Sequence, residues 1–99
     1  MPRILFEVNY NIYPEKRSDY FVLIDELRQE MKADGIENYY IFEDKKRKNN
    51  FSEVTIFKTE EDFEKFDDNQ SEKLSELTAR LMEKYVVDKK VYYSIKFEV

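Results

Sequence analysis

Histidine, cysteine and tryptophan are absent from this 99-residue sequence, and glycine occurs once. Each absence removes chemistry. Without Cys there is no disulfide, no thiol nucleophile and no zinc–cysteine centre. Without His, Ser–His–Asp and Cys–His catalysis have no general base. A single Gly cannot build a glycine-rich phosphate loop. One Gly and two Pro also leave few places to break the chain, so regular elements should dominate. The lack of Cys fits a reducing cytoplasm, and cytoplasmic is the expected location. The N-terminal run Met-Pro-Arg-Ile-Leu-Phe-Glu meets charge too early for a signal peptide. No apolar run approaches the roughly 20 residues that span a bilayer.

What is present is charge and aromatic bulk. Charged residues make up 39% of the chain, a level met in disordered proteins, yet 16% is aromatic, with eight Tyr and eight Phe. Disordered chains are poor in such side chains, so the expectation is one small domain over residues 1–99 with a Phe- and Tyr-rich core. The formal net charge of −5 weighs against nucleic acid or anionic membrane as partners.

Periodicity divides the chain into two strand–helix–strand units. Ile4, Phe6, Val8, Tyr10 and Ile12 alternate with polar residues, which marks a half-buried strand. Pro14 suits a first helical turn. Tyr20, Leu23, Ile24, Leu27 and Met31 then form one helical stripe. Gly35 reads as a left-handed cap closing that helix. Ile36 to Asp44 and Phe51 to Lys58 read as a hairpin with a basic tip, Lys45-Lys46-Arg47-Lys48. Thr59 is the expected N-cap of the next helix, with Asp62 three residues on. A break falls at Asp67-Asp68-Asn69-Gln70, and Ser71 can cap again. Leu74, Leu77, Leu81 and Tyr85 make a second stripe, and Val91 to Val99 closes the chain as a strand. The order βαββαβ predicts an α+β, ferredoxin-like fold: a four-stranded antiparallel sheet with two helices on one face.

The best apolar set for the helix-covered face is Ile4, Phe6, Val8, Val54, Ile56, Tyr93, Ile95 and Phe97. The opposite face then collects Glu7, Asn9, Asn11, Phe51, Glu53, Thr55, Phe57, Tyr92, Ser94 and Lys96. Phe51, Phe57 and Tyr92 would be awkward in water there, which predicts a homodimer packed sheet to sheet. Glu7 beside Glu53 would pair two carboxylates, able to share a proton as an acid–base pair or to bridge to Lys96. Joined by Asn9 and Asn11 they would offer oxygens to a hard cation, the lesser alternative. The tyrosines other than Tyr20 include candidates to line a pocket for a flat substrate, but Tyr39 and Tyr40 point to opposite faces, so one pocket can hold only one of them. Most tyrosines should simply pack core and interface.

These features together resemble the dimeric α/β-barrel superfamily, in particular the antibiotic-biosynthesis-monooxygenase-like domains. The resemblance runs along nearly the whole chain. It rests on the first strand leading through Tyr13-Pro14-Glu15-Lys16 into a long helix, on Gly35-Ile36-Glu37-Asn38-Tyr39-Tyr40, and on the strand-to-helix passage Val54 to Phe63. The resemblance implies a homodimer, a pocket between sheet and helices, and activities that include cofactor-independent oxygenation of aromatic molecules, haem degradation and isomerisation. In the haem-degrading branch an Asn on the first strand works with a His and a Trp. Asn9 occupies the Asn position, but the other two have no counterpart. The resulting ligand-binding candidates are Asn9, Glu7, Glu53 and Tyr92, with no cofactor and no metal expected. The partners expected are a second copy and a small aromatic or hydrophobic ligand. A non-catalytic assembly module is the alternative. The chain also resembles an RNA-recognition motif over Leu5 to Asn9 and Lys48 to Phe57. That motif stacks bases on third-strand aromatics, and Glu53 stands at the central stacking position.

Overall fold

The computed structural model describes residues 2–99. Strand β1 spans Ile4–Ile12. A 3-10 turn over Pro14–Lys16 feeds helix α1, Arg17–Glu30. Strands β2, Ile36–Glu43, and β3, Asn50–Phe57, form the hairpin. Helices α2, Glu60–Asp68, and α3, Glu72–Arg80, follow. A π-helical turn over Leu81–Tyr85 leads into strand β4, Val86–Phe97. The antiparallel sheet has the order β2-β3-β1-β4, so β1 lies between β3 and β4 as expected from the sequence.

The helical stripes fold as read. Tyr20, Leu23, Ile24 and Leu27 of α1 are buried against Leu74 and Leu77 of α3 and Leu81. A helix of 14 residues is marginal alone, and burial worth about 2 kcal/mol for each large aliphatic side chain supplies its stability. Thr59 caps α2, its Oγ1 accepting from the Asp62 N–H at 3.1 Å. Ser71 caps α3, its Oγ accepting from the Leu74 N–H at 3.0 Å. The break between these helices falls where the polar run Asp67 to Gln70 places it.

Two local expectations change. Gly35 does adopt a left-handed conformation, with φ 91°, but it is not the cap of α1, whose last helical residue is Glu30. It forms the turn into β2, where its carbonyl accepts from the Lys58 N–H at 2.9 Å. A Cβ there would lie 2.8 Å from the Asp62 side chain, so the turn and the start of α2 share that space. Strand β4 begins at Val86 rather than Val91. Asp88 and Lys89, both at φ 55°, make an irregularity across which the pairing jumps from Tyr10–Val91 to Ile12–Val86.

The larger correction concerns the faces of β3. Val8 pairs with Glu53, Phe6 with Thr55 and Ile4 with Phe57. Residues paired across an antiparallel ladder share a face. Phe51, Glu53, Thr55 and Phe57 therefore lie beneath the helices, and Val54 and Ile56 lie on the open face. Phe51 and Phe57 are buried in the core instead of awaiting a partner. The open face carries Leu5, Glu7 and Asn9 of β1, Val54 and Ile56 of β3, Tyr40 and Phe42 of β2, and Tyr92 of β4. Tyr40, Phe42 and Tyr92 are exposed.

Candidate functional site

Between the sheet and the helices lies a cavity of about 410 Å³. The strands supply its floor, including Val8, Tyr10, Tyr39, Glu53 and Thr55. Its roof comes from Leu27 and Met31 at the end of α1, Phe63 and Phe66 of α2 and Leu74 of α3. On the β4 side Tyr93 and Ile95 line it while remaining exposed, so the cavity opens there. The last turn of α2 contributes Asp67, and the break before α3 contributes Gln70.

The chemistry of the cavity concentrates at Glu53. The Tyr39 hydroxyl donates to its Oε1 at 2.5 Å, and the Tyr10 hydroxyl donates to its Oε2 at 2.8 Å. The Tyr20 hydroxyl lies 2.7 Å from that of Tyr10. Tyr10 has one proton and gives it to Glu53, so Tyr20 donates to Tyr10. Three tyrosines from β1, α1 and β2 thus converge on one carboxylate. Register explains the convergence: Tyr10 stands opposite Phe51 and Tyr39 opposite Thr55, the residues two places to either side of Glu53 on its own face.

Glu53 borders the cavity, yet protein surrounds it closely enough that burial raises its pKa above the ordinary value of 4.5; the hydrogen bonds from Tyr39 and Tyr10 pull the other way and offset this in part. Burial, together with the neighbouring Glu53 charge, pushes the Tyr10 and Tyr39 hydroxyls far above their ordinary value of 10. Burial raises Tyr20 as well. These phenols stay protonated and act as donors. No Lys or Arg forms an ion pair with Glu53 among the described residues. A carboxyl with a raised pKa lining a cleft is a candidate acid–base group.

The four candidates from the sequence divide between two faces. Glu53 is at the cavity floor. Asn9, Glu7 and Tyr92 are on the open face, so the expected Glu7–Glu53 carboxylate pair does not form. Glu7 stands opposite Val54 and Ser94, and Lys96 stands opposite Leu5. Asn9 is engaged structurally. Its Nδ2 donates to Asn50 Oδ1 at 2.9 Å, Ser52 Oγ at 2.9 Å and the Phe51 carbonyl at 3.2 Å. Of the tyrosines, Tyr10, Tyr39 and Tyr93 line the cavity. Tyr39 and Tyr40 do point apart. The contribution of Tyr20 is hidden in its helical stripe, where it reads as plain core. Among the described residues no group of three or more Asp or Glu side chains could hold a metal ion.

The same architecture recurs in solved structures. A conserved protein from Methanosarcina mazei Go1 superposes with a TM-score of 0.85 at 20% identity, covering 100% of this chain and 95% of the other. A protein from Caulobacter crescentus CB15, provisionally assigned as an antibiotic biosynthesis monooxygenase, gives 0.83 at 11% identity, with 99% and 91% covered. A further antibiotic biosynthesis monooxygenase gives 0.79 at 14% identity, with 97% and 98% covered. The chain has the antibiotic-biosynthesis-monooxygenase-like fold. At such identities the likeness extends to the fold and not to activity. No protein-family model matches the sequence, and no curated protein matches it significantly.

Proposed function

We propose that this chain binds a small aromatic or hydrophobic molecule in the cavity above Glu53 and moves a proton between that molecule and the carboxyl. The observation that carries this reading is a half-buried carboxyl, held on both oxygens by tyrosine hydroxyls and with no basic partner among the described residues, at the floor of a largely apolar cavity. A volume of about 410 Å³ falls within the range of small-molecule sites. Removing a proton from an activated C–H or O–H leaves an electron pair on the ligand. That species either reprotonates at another carbon, which is isomerisation, or reacts with dioxygen, which is cofactor-free oxygenation. The working unit in this reading is a homodimer joined through the open sheet face, whose exposed Tyr40, Phe42 and Tyr92 favour a covering partner. That same face supports the second reading, an assembly module without catalysis.

Saturation-transfer NMR with a panel of single- and two-ring aromatic fragments tests the site. Wild-type protein should bind several, and Thr78→Trp, which places a large ring at an exposed residue on the cavity wall, should lose them. Equal binding by both proteins, or no binding by either, would overturn the reading. Consumption of a bound fragment by wild type but not by Glu53→Gln would distinguish the catalytic reading from the assembly module.

A further inference from the structure

We propose that the ligand of this cavity is a cation: a hydrophobic ammonium whose charge sits against Glu53 and whose apolar body lies among the aromatic rings. This rests on the reading of the cavity as a ligand site and names the chemical class that the site takes.

The sign of the cavity is one-sided. Its only charged lining residues are Glu53 and Asp67, and no Lys or Arg lines it among the described residues. An anionic ligand would meet like charge in a largely apolar space, where repulsion is stronger than in water. Glu53 is also incomplete as it stands. Two phenols donate to it, but among the described residues no cation balances it, and a carboxylate withdrawn from water normally has a charged partner. Basic residues are not scarce in the chain, which has 17 Lys and Arg. They occupy other places. Arg28 pairs with Asp25, Arg80 with Glu26 and Glu76, and Arg17 with Glu43.

The walls suit a cation as well. Phe6, Phe57, Phe63, Phe66 and Tyr93 line the cavity, in addition to the two tyrosines bound to Glu53. Phe6 packs against both Phe63 and Tyr93, with ring centroids 5.4 and 5.9 Å apart, and Phe57 packs against Phe63 and Phe66 at 5.3 and 5.4 Å. Aromatic faces attract ammonium groups, and a carboxylate with surrounding rings discriminates a cation from a neutral molecule of the same shape. A neutral alcohol could donate one hydrogen bond to the Glu53 carboxylate but would leave its charge unbalanced.

Three probes of similar shape test the inference: naphthylethylammonium, naphthylethanol and naphthylpropanoate. Binding is followed by calorimetry at pH 7 in about 0.15 M salt, where surface attraction is screened within roughly 8 Å. The expected result is ammonium binding at least tenfold tighter than the alcohol, with the propanoate weakest. Glu53→Gln, checked for folding by circular dichroism, should bring ammonium and alcohol within about twofold. The wild-type comparison stands even if that variant fails to fold. Alcohol binding as tight as ammonium would overturn the cation inference and leave the cavity reading intact. Failure of all three at millimolar concentration would overturn both.

Discussion

Glu53 is the residue at which stability and the proposed function oppose each other. Its pKa is raised by burial, so the folded state holds its proton more tightly than the unfolded chain does. Stability from this group is therefore complete below the unfolded pKa near 4.5 and is lost as pH rises through the folded value. Every tenfold difference in proton affinity between the two states corresponds to about 1.4 kcal/mol. Glu53→Gln keeps an acceptor for one of the two tyrosine hydroxyls, sets an amide N–H2 beside the other, and cannot ionise. Its stability relative to wild type should increase as pH is raised from 4 to 8 in urea titrations. A difference independent of pH would show that Glu53 is not desolvated. A relative stability that rises with pH, beside weaker ligand binding, is the pattern expected where a site is built at the cost of stability.

Individual helices and strands are mostly legible in the sequence. The helical stripes, the two Ser/Thr caps and the break between α2 and α3 follow from local patterns, and all three are in place. Glu76 and Arg80, four residues apart on α3, meet at 3.2 Å. The phase of β3 is not legible in the same way. Its apolar residues are split, with Phe51 and Phe57 on one side and Val54 and Ile56 on the other, so alternation alone does not choose a face. The rarity of buried carboxylates favours placing Glu53 outward, and a one-residue change of phase moves every side chain to the other face. The size of Phe51 and Phe57 is the stronger signal, since large rings fill the space beneath helices best. The candidate carboxylate can therefore be named from sequence and still be oriented wrongly. Gly35 is likewise readable for its conformation and not for its element. Gly35→Ala should lower stability by about 1–3 kcal/mol, through left-handed strain and displacement of Asp62. A urea midpoint within error of wild type would show that the turn can relax.

At the scale of the whole molecule, the sheet has one face committed to the helices and one that is open. Strand order and the covered core are readable because both depend on long, repeated patterns. The cavity is not, because an empty volume depends on how side chains from several elements fail to meet. The proposed homodimer uses the open face, so its test belongs to Ile56 and not Phe57. Ile56→Lys places a charge on the open face and should yield folded monomer in sedimentation at micromolar concentration. Phe57→Lys places the same charge in the core, where Phe57 is 1% exposed, and should unfold the chain. If Ile56→Lys sediments like wild type, the open face is not the interface.

The most direct test of the central claim, that Glu53 is a desolvated carboxyl at the floor of a fillable cavity, is its own titration followed by carboxyl carbon-13 NMR. The account predicts a midpoint above 4.5 in the free protein, moving downward when naphthylethylammonium is added. A midpoint at or below 4.5, unmoved by the ligand, would contradict it.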